Sequence, residues 1–422
     1  MNTAAPSATL DAARPHWAWL LPFSVLFLFP FGAAGEAGTA ALLVLCVVLL
    51  LRQPRSLLRT PAATWALAIW ACYELAALIS TVHAVMPSRS WQTVAVMLRY
   101  LPLAAGIAWV LRDARQWSSL QKAIAWLVLF WALDAWMQAF TGWSIRGRAD
   151  PHRLTGIFGA GDPKIGQVLA VLAPFFLAQA RAWRGRLALL GGVLLLLGPI
   201  LLSGSRASWV TYALVLALFI GREAGSLRRF ALWSGMALLL GMLAMAVAWR
   251  TSSGFDARMQ RTAQALHGNW QGLNVALSYR LTIWADALRM IAANPVTGVG
   301  VRGFRWAYPH YAKLGDPFLR DHDRYGAYYA HQIVLEILSE SGVIGLLLWL
   351  IGTALALRMW WRAAPAARRR AWPAGFAVLA AVFPFNTTLA FYSAWWGLLF
   401  WWLLALWIGV LGSVEPGKTD GA

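Results

Sequence analysis

Long apolar runs recur along this chain, each about as long as a bilayer's hydrocarbon core is thick. A helix rises about 1.5 Å per residue, so roughly 20 apolar residues cross about 30 Å. Twelve runs can be read, at about 17–34, 37–52, 62–85, 91–111, 119–141, 165–182, 186–202, 206–221, 229–249, 331–357, 371–390 and 394–412. Of the 422 residues, 60% are hydrophobic and only 13% are charged. That is about half the charged share of a soluble domain. The 27 tryptophans are of a type that collects where hydrocarbon meets water. Helices satisfy their own backbone inside a bilayer, so the fold expected is an all-α polytopic membrane protein with about twelve transmembrane helices. A soluble enzyme on a single anchor is excluded. Cys46 and Cys72 lie inside apolar runs and read as packing residues, not as a disulfide framework or a metal site. The first run precedes small residues, "FGAAGEAG", as a signal peptide would. A second apolar run follows at once, so a retained helical hairpin is expected.

Orientation follows from Lys and Arg in the short loops. The segments 51–59, 112–117, 181–186, 222–229 and 358–370, with Arg14, Lys122 and Lys418, hold 19 of the 36 basic residues against five acids. These loops, and both termini, are expected in the cytoplasm. Three parts result: helices one to nine over 1–249, with an outer loop at about 142–164; a helical outer loop domain over 250–330; and helices ten to twelve with a cytoplasmic tail over 331–422.

The outer side and the spans keep 17 basic residues against 12 acids. Such an excess suits an anionic ligand at the membrane surface; solvated loop arginines are the plainer reading. Arg206 stands between two apolar runs in "GPILLSGSRASWVTYALVLALFIG". In "NVALSYRLTIWADALRMIAANPVTGVG", Leu277, Leu281, Trp284, Leu288 and Ile291 recur at helical spacing, and the Asn-Pro pair ends the helix. Arg280 falls on its first turn, beside that stripe. "GVGVRG" (298–303) has the glycine spacing of a dinucleotide loop. It follows a helix rather than a strand and opens no helix, so it reads instead as a flexible turn carrying Arg302 and Arg305. "DHD" at 321–323, near His310, matches no zinc or calcium spacing, and no metal is expected.

His331 stands where the outer loop enters span ten. The positive end of a helix dipole disfavours a charged imidazole, and a neutral one can take a proton. An interfacial His that only caps the helix is the alternative. Glu336 and Glu340 are one turn apart inside the outer edge of the bilayer; such carboxylates are expected to pair with arginines as structural supports.

"SGSRASW", "YRLTIWADALRMIAANPVTGVGVRGF" and "HQIVLEILSESGVIG", in that order, resemble the O-antigen ligase and polymerase superfamily. "HRLTGIFGAGDPKIG" (152–166) is similar to an earlier family segment. Where the family carries Asn after its His, this chain has Gln332. The resemblance implies a GT-C-type glycosyltransferase of lipopolysaccharide biosynthesis in a bacterial inner membrane, with its site facing the periplasm. The donor implied is a glycan on undecaprenyl diphosphate; a ligase's acceptor is lipid A–core oligosaccharide. Membrane lipids are the remaining partners, with no nucleic acid and no cofactor. Arg206 and Arg280 would stabilise the leaving diphosphate without a metal, and His331 would be the base of an inverting reaction. Arg153 and Lys164 would help hold the donor. Arg302, Arg305 and Gln332 would meet the acceptor. A polymerase using a second lipid-linked glycan, or a lipid or glycan flippase, are the alternatives. Only Glu74, Arg99 and Asp134 are ionisable well within spans one to nine, and one-sided charge fits surface chemistry better than passage.

Overall fold

The computed structural model describes residues 15–52, 60–148, 153–320, 326–386 and 390–413. Its helices are α1 (Leu20–Leu28), α2 (Gly35–Arg52), α3 (Pro61–Ser80), α4 (Pro87–Met97), α5 (Tyr100–Val110), α6 (Ala114–Thr141), α7 (Ile165–Leu202), α8 (Arg206–Ala224), α9 (Leu227–Thr251), α10 (Ser253–Ala263), α11 (Trp270–Ala276), α12 (Arg280–Ala293), α13 (Phe304–Tyr311), α14 (Pro317–Arg320), α15 (Ile333–Arg362), α16 (Pro365–Val382) and α17 (Ala394–Leu411). A two-stranded ribbon, β1 (Trp143–Ser144) and β2 (Gly147–Arg148), follows α6.

Local sequence chemistry sets the helix starts. Pro61, Pro87 and Pro365 each occupy a first helical position, where a missing N–H is harmless. Thr60, Ser226, Ser252, Asn269 and Ser393 each accept an N–H from the first turn behind them, the usual role of an N-cap side chain.

Among the described residues, ten helical stretches are long and apolar enough to cross a membrane. They differ from the twelve runs in two places. The runs at 17–34 and 37–52 form one stretch, Leu20–Arg52, in which the nine-residue α1 folds back on α2 through a 3-10 turn at Phe29–Ala34. The run at 371–390 is helical only as far as Val382 and carries Arg368, Arg369 and Arg370 in its first turns. The runs at 165–182 and 186–202 are the two arms of α7, Ile165–Trp183 and Gly185–Leu202. They lie antiparallel: a side chain at Gly192 would meet Phe176 and Ala180.

The bundle centres on α17, which is buried from Trp396 to Leu411, as a helix apolar on every side should be. It packs against α5 and α16, while α3 pairs with α15 and α6 with α7. Between α3, α15, α16 and α17 lies a cavity of about 370 Å³, lined by side chains such as Ile69, Tyr73, Trp349 and Trp401 and by no charged residue. Residues 253–320 form a layer of short helices with its own core of Ile283, Ala287, Met290, Phe304, Ala307 and Tyr308.

Candidate functional site: a cationic cleft under the helical layer

Arg206 is the first residue of α8. That is the wrong end of a helix dipole for a cation, so tertiary contacts must hold it. Its Nη1 donates to Thr262 Oγ1 at 2.9 Å and to the Ala276 carbonyl, and its Nη2 donates to Ser278 Oγ at 2.8 Å. These acceptors are neutral, so the charge is oriented without being cancelled. The preceding Gly204 has φ 76°, and a Cβ there would lie 2.1 Å from Arg258 Cζ. Arg258 is 9% exposed and donates to the Gly254 carbonyl at 2.7 Å. It is a third arginine at this turn and one that sequence reasoning missed; no motif marks it.

Arg280 opens α12, directly after Ser278 and Tyr279, whose φ angles are 56° and 60°. The buried face of α12 is Ile283, Asp286, Ala287 and Met290, not the expected stripe of Leu277, Leu281, Trp284, Leu288 and Ile291. Leu288 is 57% exposed. The helix starts later than the apolar spacing suggested and rests on the small core of its own layer. Burial pulls Arg280 down to about 10, the neighbouring Arg206 adds to the fall, and Tyr329 opposes it. Arg280 therefore remains charged at neutral pH, beside Arg206, and neither forms an ion pair with a described residue.

His331 lies one residue ahead of the N-cap of α15 and has φ 56°. Both flanks are tied down. The Ala330 carbonyl accepts Trp284 Nε1–H at 3.1 Å, and Gln332 Oε1 accepts Leu335 N–H at 2.6 Å. The Gln332 carbonyl-side oxygen is thus occupied as a helix cap. The Tyr329 ring lies 4.1 Å from the imidazole, centroid to centroid. Burial and Glu336 push the Tyr329 phenol up to about 12 against the pull of Arg280 and Arg302, so it is a neutral hydrogen-bond donor. The non-glycine residues with left-handed backbone among those described are Ser278, Tyr279, Arg302 and His331. All four belong to this region, and such conformations collect at functional sites.

The segment 295–304 is not the flexible turn expected from "GVGVRG". Val299 and Val301 are fully buried. Gly342, at φ 65°, breaks α15 and frees backbone groups on both sides of the break. The segment satisfies them: Val299 and Gly300 N–H donate to the Ser339 and Glu340 carbonyls at 2.9 Å, and Pro295 O accepts Val343 N–H at 2.8 Å. A Cβ on Gly342 would lie 2.2 Å from Val296 O, so only glycine permits this approach. Glu340 accepts Arg302 N–H at 2.8 Å and Phe304 N–H at 3.4 Å, and Glu336 accepts Tyr392 N–H at 3.4 Å. The expected arginine pairing takes a different form. Arg302 supplies the favourable charge to both carboxylates, but the hydrogen bonds come from backbone. Arg305 stacks over Tyr328 at 4.1 Å.

Arg153 and Lys164 lie on the loop facing the Arg206 turn. Leu154 N–H bonds to Leu202 O at 3.4 Å, and α7 starts so close to that turn that a Cβ on Gly166 would meet Ser203. Gln138, also missed in the sequence, clamps this loop by accepting Thr155 and Gly156 N–H at 3.0 and 2.5 Å. Asp134, one turn earlier, accepts Ile145 N–H at 2.8 Å. Arg153 is exposed. Lys164 pairs with Asp162 at 2.6 Å and sits 4.3 Å over the Trp395 ring, so its charge is largely spent locally. His310 is exposed, while "DHD" at 321–323 lies outside the described residues. Among the described residues, no three His, Cys, Asp or Glu side chains gather as a metal would require.

Fold and site define a multi-pass helical membrane protein in which Arg206 and Arg280, neither ion-paired with a described residue, meet where a layer of short helices joins one end of the bundle. Residues 191–350, which hold Arg206, Arg258, Arg280, Arg302, Arg305 and His331, match the family model described as O-antigen ligase. Over 86 residues the chain is 37% identical to an O-antigen ligase of Pseudomonas aeruginosa, covering 20% of this chain and 18% of that protein. The chain thus matches less than a fifth of that relative's length. Both findings are likenesses to O-antigen ligases over part of the chain.

Proposed function

We propose that this chain is an inverting glycosyltransferase that moves a glycan from undecaprenyl diphosphate to lipid A–core oligosaccharide at the periplasmic face of the inner membrane. One observation carries the reading: Arg206 and Arg280 lie close enough to repel, half-buried, Arg206 held by neutral acceptors and neither ion-paired with a described residue. Guanidinium groups so placed bind phosphate oxygens with a planar fork and strengthen as the leaving diphosphate gains charge. His331 takes the proton of the acceptor hydroxyl as it attacks the anomeric carbon from the face opposite the departing diphosphate. The Tyr329 phenol links the two halves of the site, feeling Arg280 and lying with its ring tilted against His331 at 4.1 Å. The two arginines do the charge work that a metal does elsewhere.

The apolar lining of the cavity between α3, α15, α16 and α17 favours this reading over a flippase, which needs a polar path through the bundle. The test is the lipopolysaccharide profile of a deletion strain. Loss of the long glycan ladder with accumulation of full-length lipid-linked glycan is expected. Single-unit caps on the core would identify a polymerase instead. Transfer by the purified protein in EDTA is expected to continue; loss rescued by Mg²⁺ would overturn the metal-free mechanism.

A further inference from the structure

We infer that Trp284 is a positioning residue for His331 and couples it to the arginine that meets the diphosphate. The inference rests on the roles proposed above for Arg280 and His331. Arg280 is the first residue of α12 and Trp284 lies four residues on, so both stand on one face, a turn apart. The indole Nε1–H donates to the carbonyl of Ala330, the residue before His331, at 3.1 Å. That carbonyl is buried with Ala330, and His331 beyond it is held at φ 56°. A non-glycine residue adopts that backbone only at a cost, so the surrounding contacts must over-determine it.

Two contacts do so. On the far side the Gln332 cap bonds Leu335 at 2.6 Å, which fixes where α15 begins. On the near side the indole is a hydrogen bond from α12 to this turn, added to the core that Ala330 shares with Ile283, Ala287 and Met290. A shift of α12 when Arg280 engages a diphosphate is therefore transmitted through one rigid side chain to the imidazole. The other flank of the imidazole is the Tyr329 ring at 4.1 Å, so the ring stays in its plane only while residue 330 keeps its orientation.

Trp284→Phe keeps an aromatic ring and removes the donor. In membranes normalised for protein, kcat should fall about fivefold to tenfold, the fold-change of a single lost neutral hydrogen bond, with the donor KM unchanged. Trp284→Tyr fills more of the indole's space, still lacks the N–H, and should show the same loss. The decisive arm repeats Trp284→Phe in a His331→Ala background. If Trp284 acts through His331, the second substitution costs nothing further there. Wild-type kcat in both single variants, or the same fold-loss with and without His331, overturns the inference. A fully active His331→Ala protein would instead overturn the base assigned above, which keeps the two failures distinguishable.

Discussion

Carboxylates buried in the membrane bundle and the two arginines where the layer of short helices meets it are held in opposite ways. In the bundle, three buried carboxylates are met by backbone N–H groups: Asp134 by Ile145, Glu336 by Tyr392, Glu340 by Arg302 and Phe304. Those contacts stitch loops and strap onto helices. Where the layer meets the bundle, Arg206 is met by two hydroxyls and a carbonyl, and Arg280 forms no ion pair with a described residue. One arrangement uses charge to fasten the backbone, and the other orients charge and leaves it available. A burial penalty without compensation is tolerated where a ligand supplies the missing partner.

The sharpest way to break this comparison is Arg280→Ala. Transfer should be abolished while the protein remains folded in the membrane. Its lowered pKa means the folded state disfavours the charge, so removing it should leave thermal stability unchanged or slightly raised. Near-wild-type transfer by the purified variant would show that the layer's charge is only solvated. The same group gives an alkaline limb: the charged form is complete below about 10 and is lost as pH rises through that value, so the rate should decline there.

A smaller effect is expected from His331→Ala, which removes a base but leaves the arginines. General-base catalysis contributes roughly 10²–10⁴-fold, so the variant should be slow with donor binding intact. Donor affinity lost in proportion to activity would make His331 a binding residue.

Arg206→Lys sharpens the comparison by keeping charge and discarding shape. A Lys cannot reproduce the three contacts to Thr262, Ala276 and Ser278, and loss of a charged hydrogen bond costs about 1–3 kcal/mol. That is about tenfold or more in rate. A fully active Lys variant would mean that charge alone suffices at this position.

How much of this was legible in the chain varies with the length scale of the signal. Apart from the runs at 17–34 and 371–390, apolar runs of membrane length placed the bundle helices to within a few residues, because hydrocarbon thickness is a constraint that sequence carries directly. The turn at Gly185, read as a break between two runs, is an antiparallel hairpin in the structure. The three motif segments placed Arg206, Arg280 and His331 at element starts, where they are. The face of α12 was misread because its partner is the layer's own core rather than the membrane, and periodicity does not name the partner. "GVGVRG" was misread because a glycine serving close backbone approach and a glycine serving flexibility look alike in one sequence.

Arg258, Gln138 and Trp284 were legible only in three dimensions. Each is an ordinary residue in an ordinary helix, and each acquires its role from a backbone group far along the chain: Gly204 for Arg258, residues 155–156 for Gln138, and Ala330 for Trp284. The sequence by itself determined that this is a helical membrane protein, because apolar length and composition are local properties. It also determined which arginines and which histidine stand at helix starts. That Arg206 and Arg280 meet one another, with two hydroxyls and a carbonyl holding Arg206, was decided by the tertiary structure. Helix packing sets which side chains share a cleft, and no spacing along the chain encodes that distance.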